Sequence, residues 1–558
     1  MRGQRFAFIS KHWYILPALA LWIVFYIPFL PYHILHIDES VYILVARKIL
    51  QGGTPYRDVW DHKPPMVFFL FSFALKMFGA KNYVVLNFIT MMFCLFSTVL
   101  IYKLARYIVS ARIAGLACMF YPVISNVLLE RDALNPNTEI YMMSYVLLCV
   151  AFTFRYFSGY RVKDMFLAGL SAGMATAFKQ PSATILMPVF TAMLLTAFHN
   201  RRIIKTLLRG LISFATGGMF VWLAITVYFI ANNALPDFLF QCFKFNFIYS
   251  SDITKIDMLR GLRRIYTQSF IDLPFFFVPY AIGCISMLSI LIWRRIDFKR
   301  ARLLVFLLFW HLGDIIGMSA GGLFYPHYLV QWMPSFSMIT VIGLYLAYKT
   351  LFRKYRVAAI ICMCFYILFI MRIIFVTGIS YRNVETAVYV EYKTPMENWR
   401  RMRAYYSVIG DNFLQYPYYR DPKQYYSALN TVKIIRSFVP RDGTIFIWGF
   451  IPELYLFADR EPSSRFVFTS FVSGRFYGLQ NLHIHPKFTR MHLYMETLML
   501  GDLMNHKPNL IVLSDTKRLP STEGFFKYLD ANYRKLSVTS EYPVELFLRK
   551  DFVGSVDR

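Results

Sequence analysis

The chain has 558 residues, 57% of them hydrophobic and 16% charged, with a mean hydropathy of +0.44. Soluble domains are typically about half apolar and about a quarter charged, so this composition excludes an ordinary soluble enzyme and points to a polytopic membrane protein. The formal net charge of +28 does not signal nucleic-acid binding, because Lys and Arg cluster in short segments between apolar runs, where they set topology and meet anionic lipid headgroups.

A helical span needs about 20 apolar residues. Runs at 13–31, 83–102, 112–129, 138–155, 164–178, 182–198, 208–231, 273–293, 303–320, 329–348 and 357–378 predict eleven spans. The first is too long for a secretory signal and lacks a small-residue cleavage site, which predicts that it is retained. The aromatic content of 18% suits interfacial belts and bundle packing. The connecting segments alternate in charge. One set carries clusters such as Arg2/Arg5/Lys11, Arg201/Arg202/Lys205 and Lys349/Arg353/Lys354/Arg356, and the positive-inside rule places it in the cytoplasm. The other set, 32–82, 130–137, 179–181, 232–272, 321–328 and everything after 379, faces outward. The N-terminus is then cytoplasmic.

The first outer loop, 32–82, concentrates ionisable side chains: Asp38, Glu39, Arg57, Asp58, Asp61, His62 and Lys63. Residues 39–50 place Val41, Leu44, Val45, Ile49 and Leu50 near one face, which predicts a helix lying in the interface, ended by Gly52-Gly53. Residues 54–64 form a turn, and Pro64-Pro65 leads into a second short apolar helix over 66–79. Taken singly, these residues have plain readings: Asp38 and Glu39 as helix caps, His62 as a turn residue, Lys63 as a snorkelling interfacial lysine. Together they supply a carboxylate able to take a proton and a compact positive charge able to meet a phosphate at the membrane edge.

After residue 379 the character changes. Short apolar runs at 444–450, 465–471, 508–515 and 544–550 read as strands, with helical segments over about 486–505 and 523–533 between them. This predicts a small α/β domain over 380–558, outside a transmembrane domain over 1–379. The tail has no glycine-rich phosphate loop. The seven cysteines, at 94, 118, 149, 242, 284, 362 and 364, show no zinc spacing, and none follows residue 364.

Asp38-Glu39 directly after the first span, an amphipathic helix and then HKPP resemble the GT-C glycosyltransferases, specifically the branch that includes protein O-mannosyltransferases and lipid A aminoarabinose transferase. FKQPS (178–182), NPNTE (135–139), GGLFYPHYLVQWMP (321–334) and FIWGFIPELYLFADREPSSRFVFT (446–469) extend the resemblance over most of the chain. The resemblance implies a GT-C fold of about eleven transmembrane helices with interfacial helices in the first outer loop. It also implies a sugar donor carried on polyprenyl phosphate. It makes Asp38 the catalytic base, with Glu39 its neighbour and alternative, and Lys63 a contact of the carrier phosphate. At His62 it leaves a divalent metal, the carrier phosphate or the acceptor as partner. His327-Tyr328 stands where relatives carry Arg-Tyr, which makes His327 a weaker phosphate contact.

Lys179 ends a short span, and a charge at that place is a functional candidate beside its plain reading as a snorkelling lysine. Asp132, Glu139 and Tyr325 are candidates to line a sugar or acceptor site, against the plainer reading in which the charges around 130–139 pair with one another. The expectation is an inverting, polyprenyl-phosphate-dependent hexosyl or pentosyl transferase of the bacterial inner membrane. Its active site and C-terminal domain are outside, its partners are membrane lipids, and its acceptor is an envelope glycan, glycolipid or protein. The rival reading is a transporter or flippase of lipid-linked sugars. It fits less well, because transporters show repeated halves and midplane charges, whereas this chain has no repeat and gathers its charges at the outer edge.

Overall fold

The computed structural model describes residues 13–27, 30, 37–251, 255–265, 274–293, 296–322, 324–350, 380–382, 389–391, 422–473, 486–518, 522–537 and 544–552. It divides into two compact units.

The first unit comprises Met1–Leu30, Asn87–Val227 and Met258–Ser407. Helices stand at ten of the eleven expected spans, from Leu16–Tyr26 to Met333–Thr350; the span expected at 357–378 lies outside the described residues. Among the described residues, five helices are long and apolar enough to cross a membrane: those within Val84–Arg106, Thr138–Gly159, Gln180–His199, Arg201–Ala231 and Phe298–Ser319. Along Ile204–Ala231, Ile212, Met219, Phe220 and Leu223 point outward, the stripe a lipid-facing helix presents. Elsewhere the helices meet through small residues. A Cβ on Gly169 would lie 1.9 Å from the Phe214 carbonyl oxygen, and one on Gly217 would lie 2.2 Å from that of Phe166, so only glycine lets these two helices approach so closely. Two expected spans open as 3₁₀ turns, Gln180–Ile185 and Pro326–Gln331, each with a proline in its first positions. The strands β1 (Ser380–Arg382) and β2 (Tyr389–Glu391) pair antiparallel.

The second unit comprises Pro31–Leu86, Tyr228–Asp257 and Val408–Arg558. The helix–turn–helix of the first loop is present at Ile37–Leu50 and Met66–Phe78. The acids do not precede the first helix but occupy its first turn, and Arg47 and Lys48 occupy its last, both favourable to the helix dipole. Residues Glu39 to Ala46 are buried on every side, whereas Phe73, Met77 and Phe78 of the second helix are exposed. Only the second helix therefore shows the one-sided burial expected of both.

The C-terminal part carries a five-stranded sheet in the order β4-β3-β5-β7-β6: β3 (Thr444–Trp448), β4 (Glu461–Pro462), β5 (Leu510–Leu513), β6 (Tyr533–Lys535) and β7 (Glu545–Arg549). β3 runs parallel to β4 and β5, and β7 antiparallel to β5 and β6. Helices Pro486–His506 and Glu523–Asn532 match the expected segments. The boundary expected at residue 379 lies outside the described residues.

The run 465–471 is not the strand its composition predicts. Its polar backbone groups find other partners: the Arg465 N–H donates to Asp502 Oδ2 at 3.0 Å, the Arg465 carbonyl accepts from the Trp60 N–H at 2.8 Å, and the Thr469 N–H donates to the Gly449 carbonyl at 3.0 Å. Its aromatics pack on the first loop, with Phe466 and Phe471 at 6.0 and 4.3 Å from the Trp60 ring. An apolar run with those partners has no need of a neighbouring strand.

Candidate active site

In the second unit the turn between the two first-loop helices is densely bonded. Asp58 Oδ2 accepts the Thr54 N–H at 2.7 Å and its carboxylate pairs with Arg57, whose Nη1 reaches the Asn232 carbonyl at 2.7 Å. Tyr56 sits at φ 71°, a left-handed conformation costly for a side chain of that size. It is held there by its OH donating to the Lys63 carbonyl at 2.7 Å, its N–H donating to the Val59 carbonyl at 2.8 Å, and its ring packing on Phe68, Phe229 and Phe238. Asp61 is buried, and its Oδ1 accepts the Lys63 N–H at 2.8 Å.

This turn brings Lys63 back over the first helix. Its Nζ donates to Asp38 Oδ2 at 3.2 Å and lies 4.7 Å from the centre of the Tyr42 ring. Burial pulls the Lys63 ammonium down, but Asp38, Tyr42 and Asp61 outweigh it and hold the group well above the ordinary lysine value. Burial also raises the Asp61 carboxyl, against the opposing pull of Lys63. Lys63 is thus a permanent cation and Asp38 the carboxylate it faces. Glu39, one residue on, is fully buried.

The His62 ring sits 3.6 Å (Nδ1) from Asp61 Oδ1 and lies edge-on to Phe471 at 5.0 Å, so the C-terminal part of the chain packs directly on this histidine. Asp61 and His62 are two of the donors a divalent ion needs. Among the described residues no group of three His, Cys, Asp or Glu side chains is placed to hold one. This pair alone does not complete a coordination shell, and no step below is routed through an ion.

A second cluster lies in the first unit. Glu139, in the first turn of Thr138–Gly159, is 2% exposed and accepts from Lys179 Nζ and, at 2.8 Å, from Thr138 Oγ1. His327 Nε2 is 3.8 Å from Glu139 Oε1, and Tyr325 stacks on the His327 ring at 5.6 Å. Lys179 Nζ also sits 3.9 Å above the Tyr328 ring. Four residues singled out separately in the sequence, Glu139, Lys179, His327 and Tyr325, therefore meet. Asp132 does not join them directly; it accepts from Asn135 Nδ2 at 3.2 Å, on a 3₁₀ turn, Glu130–Ala133.

Sequence reasoning missed three groups. Tyr42 backs Lys63 and no motif marks it, and Tyr328, noted in the sequence only as the neighbour of His327, backs Lys179. Gln241 and Asn246 bond to the turn between the two first-loop helices from a segment read only as outer loop. Within the helices, Ser335 Oγ donates to Asp314 Oδ2 at 2.6 Å and contacts His311 Nδ1 at 3.0 Å, while Tyr280 OH meets His311 Nε2 at 2.7 Å. The signal for this last network was present, since ionisable residues inside spans are uncommon.

A many-helix bundle, a small α/β region, acids at the start of the first loop and a lysine ahead of Pro64-Pro65 are the features on which the resemblance to the GT-C fold rests. Residues 62–233, opening on the HKPP turn, match the family described as dolichyl-phosphate-mannose-protein mannosyltransferase. The chain is similar in structure to ArnT from Cupriavidus metallidurans bound to undecaprenyl phosphate, with a TM-score of 0.57 and 12% identity over 96% of this chain and 98% of that one. The apo state of ArnT from Cupriavidus metallidurans gives a TM-score of 0.54 at 12% identity, with the same coverage of both chains. The oligosaccharyltransferase of Archaeoglobus fulgidus, tethered to an acceptor peptide containing the NVT sequon, gives 0.50 at 12% identity over 91% of this chain and 69% of that one. No curated protein matches. The chain has the GT-C fold and is an integral membrane protein.

Proposed function

We propose that this chain transfers a sugar, a hexose or pentose, from a polyprenyl-phosphate carrier to a hydroxyl of an envelope glycan, glycolipid or protein. Transfer takes place on the outer face of a bacterial inner membrane with inversion at the anomeric carbon. The observation that carries the reading is the Asp38–Lys63 pair: a carboxylate in the first turn of the first-loop helix and an ammonium 3.2 Å away, with Lys63 at the start of the matched family segment. In the reaction, Asp38 takes the proton of the acceptor hydroxyl as its oxygen bonds to the anomeric carbon. The bond from that carbon to the phosphate oxygen breaks on the opposite face, and the phosphate leaves with the electron pair. Lys63 meets the charge growing on the phosphate, the kind of positioned charge that often supplies the largest share of catalysis. Lys179 and His327 are proposed as further phosphate contacts, His62 as a contact of phosphate or acceptor, and Asp132, Glu139 and Tyr325 as sugar or acceptor contacts.

The test is transfer of labelled sugar from polyprenyl phosphate by purified protein, with donor binding measured alongside. Asp38→Asn should lower turnover by roughly 10²–10⁴-fold and leave donor binding nearly intact. Lys63→Ala should weaken both, since the phosphate is present in donor and transition state alike. Glu39→Gln is the control and should keep most of the turnover. Normal turnover in Asp38→Asn with a dead Glu39→Gln would move the base to Glu39. Normal transfer in all three would refute the site.

A further inference from the structure

We infer that Gln241 and Asn246, presented together by a π-helical turn, are positioning residues that clamp the donor-binding turn and thereby aim Lys63. The inference rests on the function proposed above. Gln241 is 3% exposed and uses both ends of its amide on the turn. Its Oε1 accepts the Asp61 N–H at 3.2 Å and its Nε2 donates to the Tyr56 carbonyl at 2.7 Å. Asn246 Nδ2 donates to the His62 carbonyl at 2.7 Å. Between the atoms these amides hold lie the two ends of the segment that sets Lys63: the left-handed Tyr56, and Asp61, whose Oδ1 receives the Lys63 N–H.

Local backbone geometry makes the double grip possible. In an α-helix, at 3.6 residues per turn, residues five apart point about 140° away from each other, so Gln241 and Asn246 could not both reach one turn. Phe240–Phe245 is instead a π-helix. Its wider turn brings residues five apart closer to one face, and the Gln241 and Asn246 amides both reach the same turn. Such turns are seldom favourable in themselves, and this one presents two amides whose combined use is to hold the turn. Removing Gln241 leaves a buried N–H and a buried carbonyl without partners and releases Tyr56 from a conformation it would otherwise leave. The loosened turn no longer holds the ammonium at one point, although every phosphate-contacting side chain remains.

The experiment is a double-substitution cycle in the purified full chain, with undecaprenyl phosphate as the binding probe. Gln241→Ala should weaken binding about five- to tenfold, the loss expected for one or two buried hydrogen bonds. In a Lys63→Ala background the same change should cost less than twofold, because the group it positions is gone. A merely structural role predicts the same factor in both backgrounds, and that result overturns the inference, as does unchanged binding in Gln241→Ala. Should Gln241→Ala fail to fold, Asn246→Ala, at a partly exposed position, carries the same expectation and the same refutation. If Lys63→Ala alone binds undecaprenyl phosphate like the unmodified chain, the proposed donor site falls and the clamp with it. A Lys63 effect without coupling to Gln241 removes only the clamp.

Discussion

Lys179 offers a substitution whose structural and functional consequences separate cleanly. Its ammonium faces Glu139, whose side chain is 2% exposed against 17% for Lys179 itself. Lys179→Met removes the charge and keeps most of the volume, leaving a buried carboxylate with Thr138 and a histidine 3.8 Å away. Breaking a buried pair on one side costs about 3–5 kcal/mol, because the surviving charge is left without compensation. The lost contact with the Tyr328 ring adds about 1 kcal/mol. Substituting both, Lys179→Met with Glu139→Gln, removes the orphaned charge and should recover most of the first figure, so the cycle should show a coupling of at least about 2 kcal/mol. The assay is unfolding of purified protein in detergent followed by tryptophan fluorescence, with donor binding measured on the same samples. If Lys179 contacts the donor phosphate, the double variant regains stability and still binds poorly a polyprenyl phosphate without sugar, which offers Glu139 nothing to contact. Recovery of binding together with stability would reduce the pair to a structural one. An undiminished stability in Lys179→Met would refute the buried pair itself.

Three further outcomes are expected. In the C-terminal part, burial raises Glu453 to about 7 and lowers His492 to about 4, from ordinary values of 4.5 and 6.5. Glu453 therefore favours the folded state most when protonated, and its contribution is lost as pH rises from 4.5 to 7; the His492 contribution is lost as pH falls from 6.5 to 4. The two slopes oppose each other, so Glu453→Gln should leave a stability that only rises with pH across this window and exceed the parent by about 3 kcal/mol at pH 8. A flat difference between parent and Glu453→Gln from pH 4.5 to 8 would refute the buried carboxyl. For the metal, an ion bridging His62 and the donor phosphate predicts that excess chelator abolishes transfer and that added divalent ion restores it; full activity in chelator, with His62→Ala still inactive, would instead leave the histidine as a direct phosphate or acceptor contact. For orientation, Asn505→Cys, at an exposed position, should react with a membrane-impermeant thiol reagent in intact spheroplasts; labelling only after lysis would place the C-terminal region, and the proposed site, inside.

The bundle was legible in the sequence because crossing a bilayer is a one-dimensional requirement: about 20 apolar residues with every backbone group bonded within the segment. Helices accordingly stand at ten of the expected places. The strands at 444–448, 510–513 and 545–549 were legible for a related reason, since short β-rich runs bounded by polar residues have few other uses. The first-loop acids and lysine were visible as residue types, and the HKPP resemblance gave them roles. Their arrangement was not visible. Lys63 meets Asp38 across 25 positions, Gln241 meets Asp61 across 180, and Lys179 meets Glu139 across 40. Hydropathy and periodicity describe what one segment does with solvent, whereas these contacts depend on which segments become neighbours. The run 465–471 shows the limit most directly. By composition it is a strand, yet its backbone bonds Asp502 and Trp60 and its rings cover Trp60 and His62. A buried polar backbone takes whichever partner the packing brings near, and that choice is made only in three dimensions.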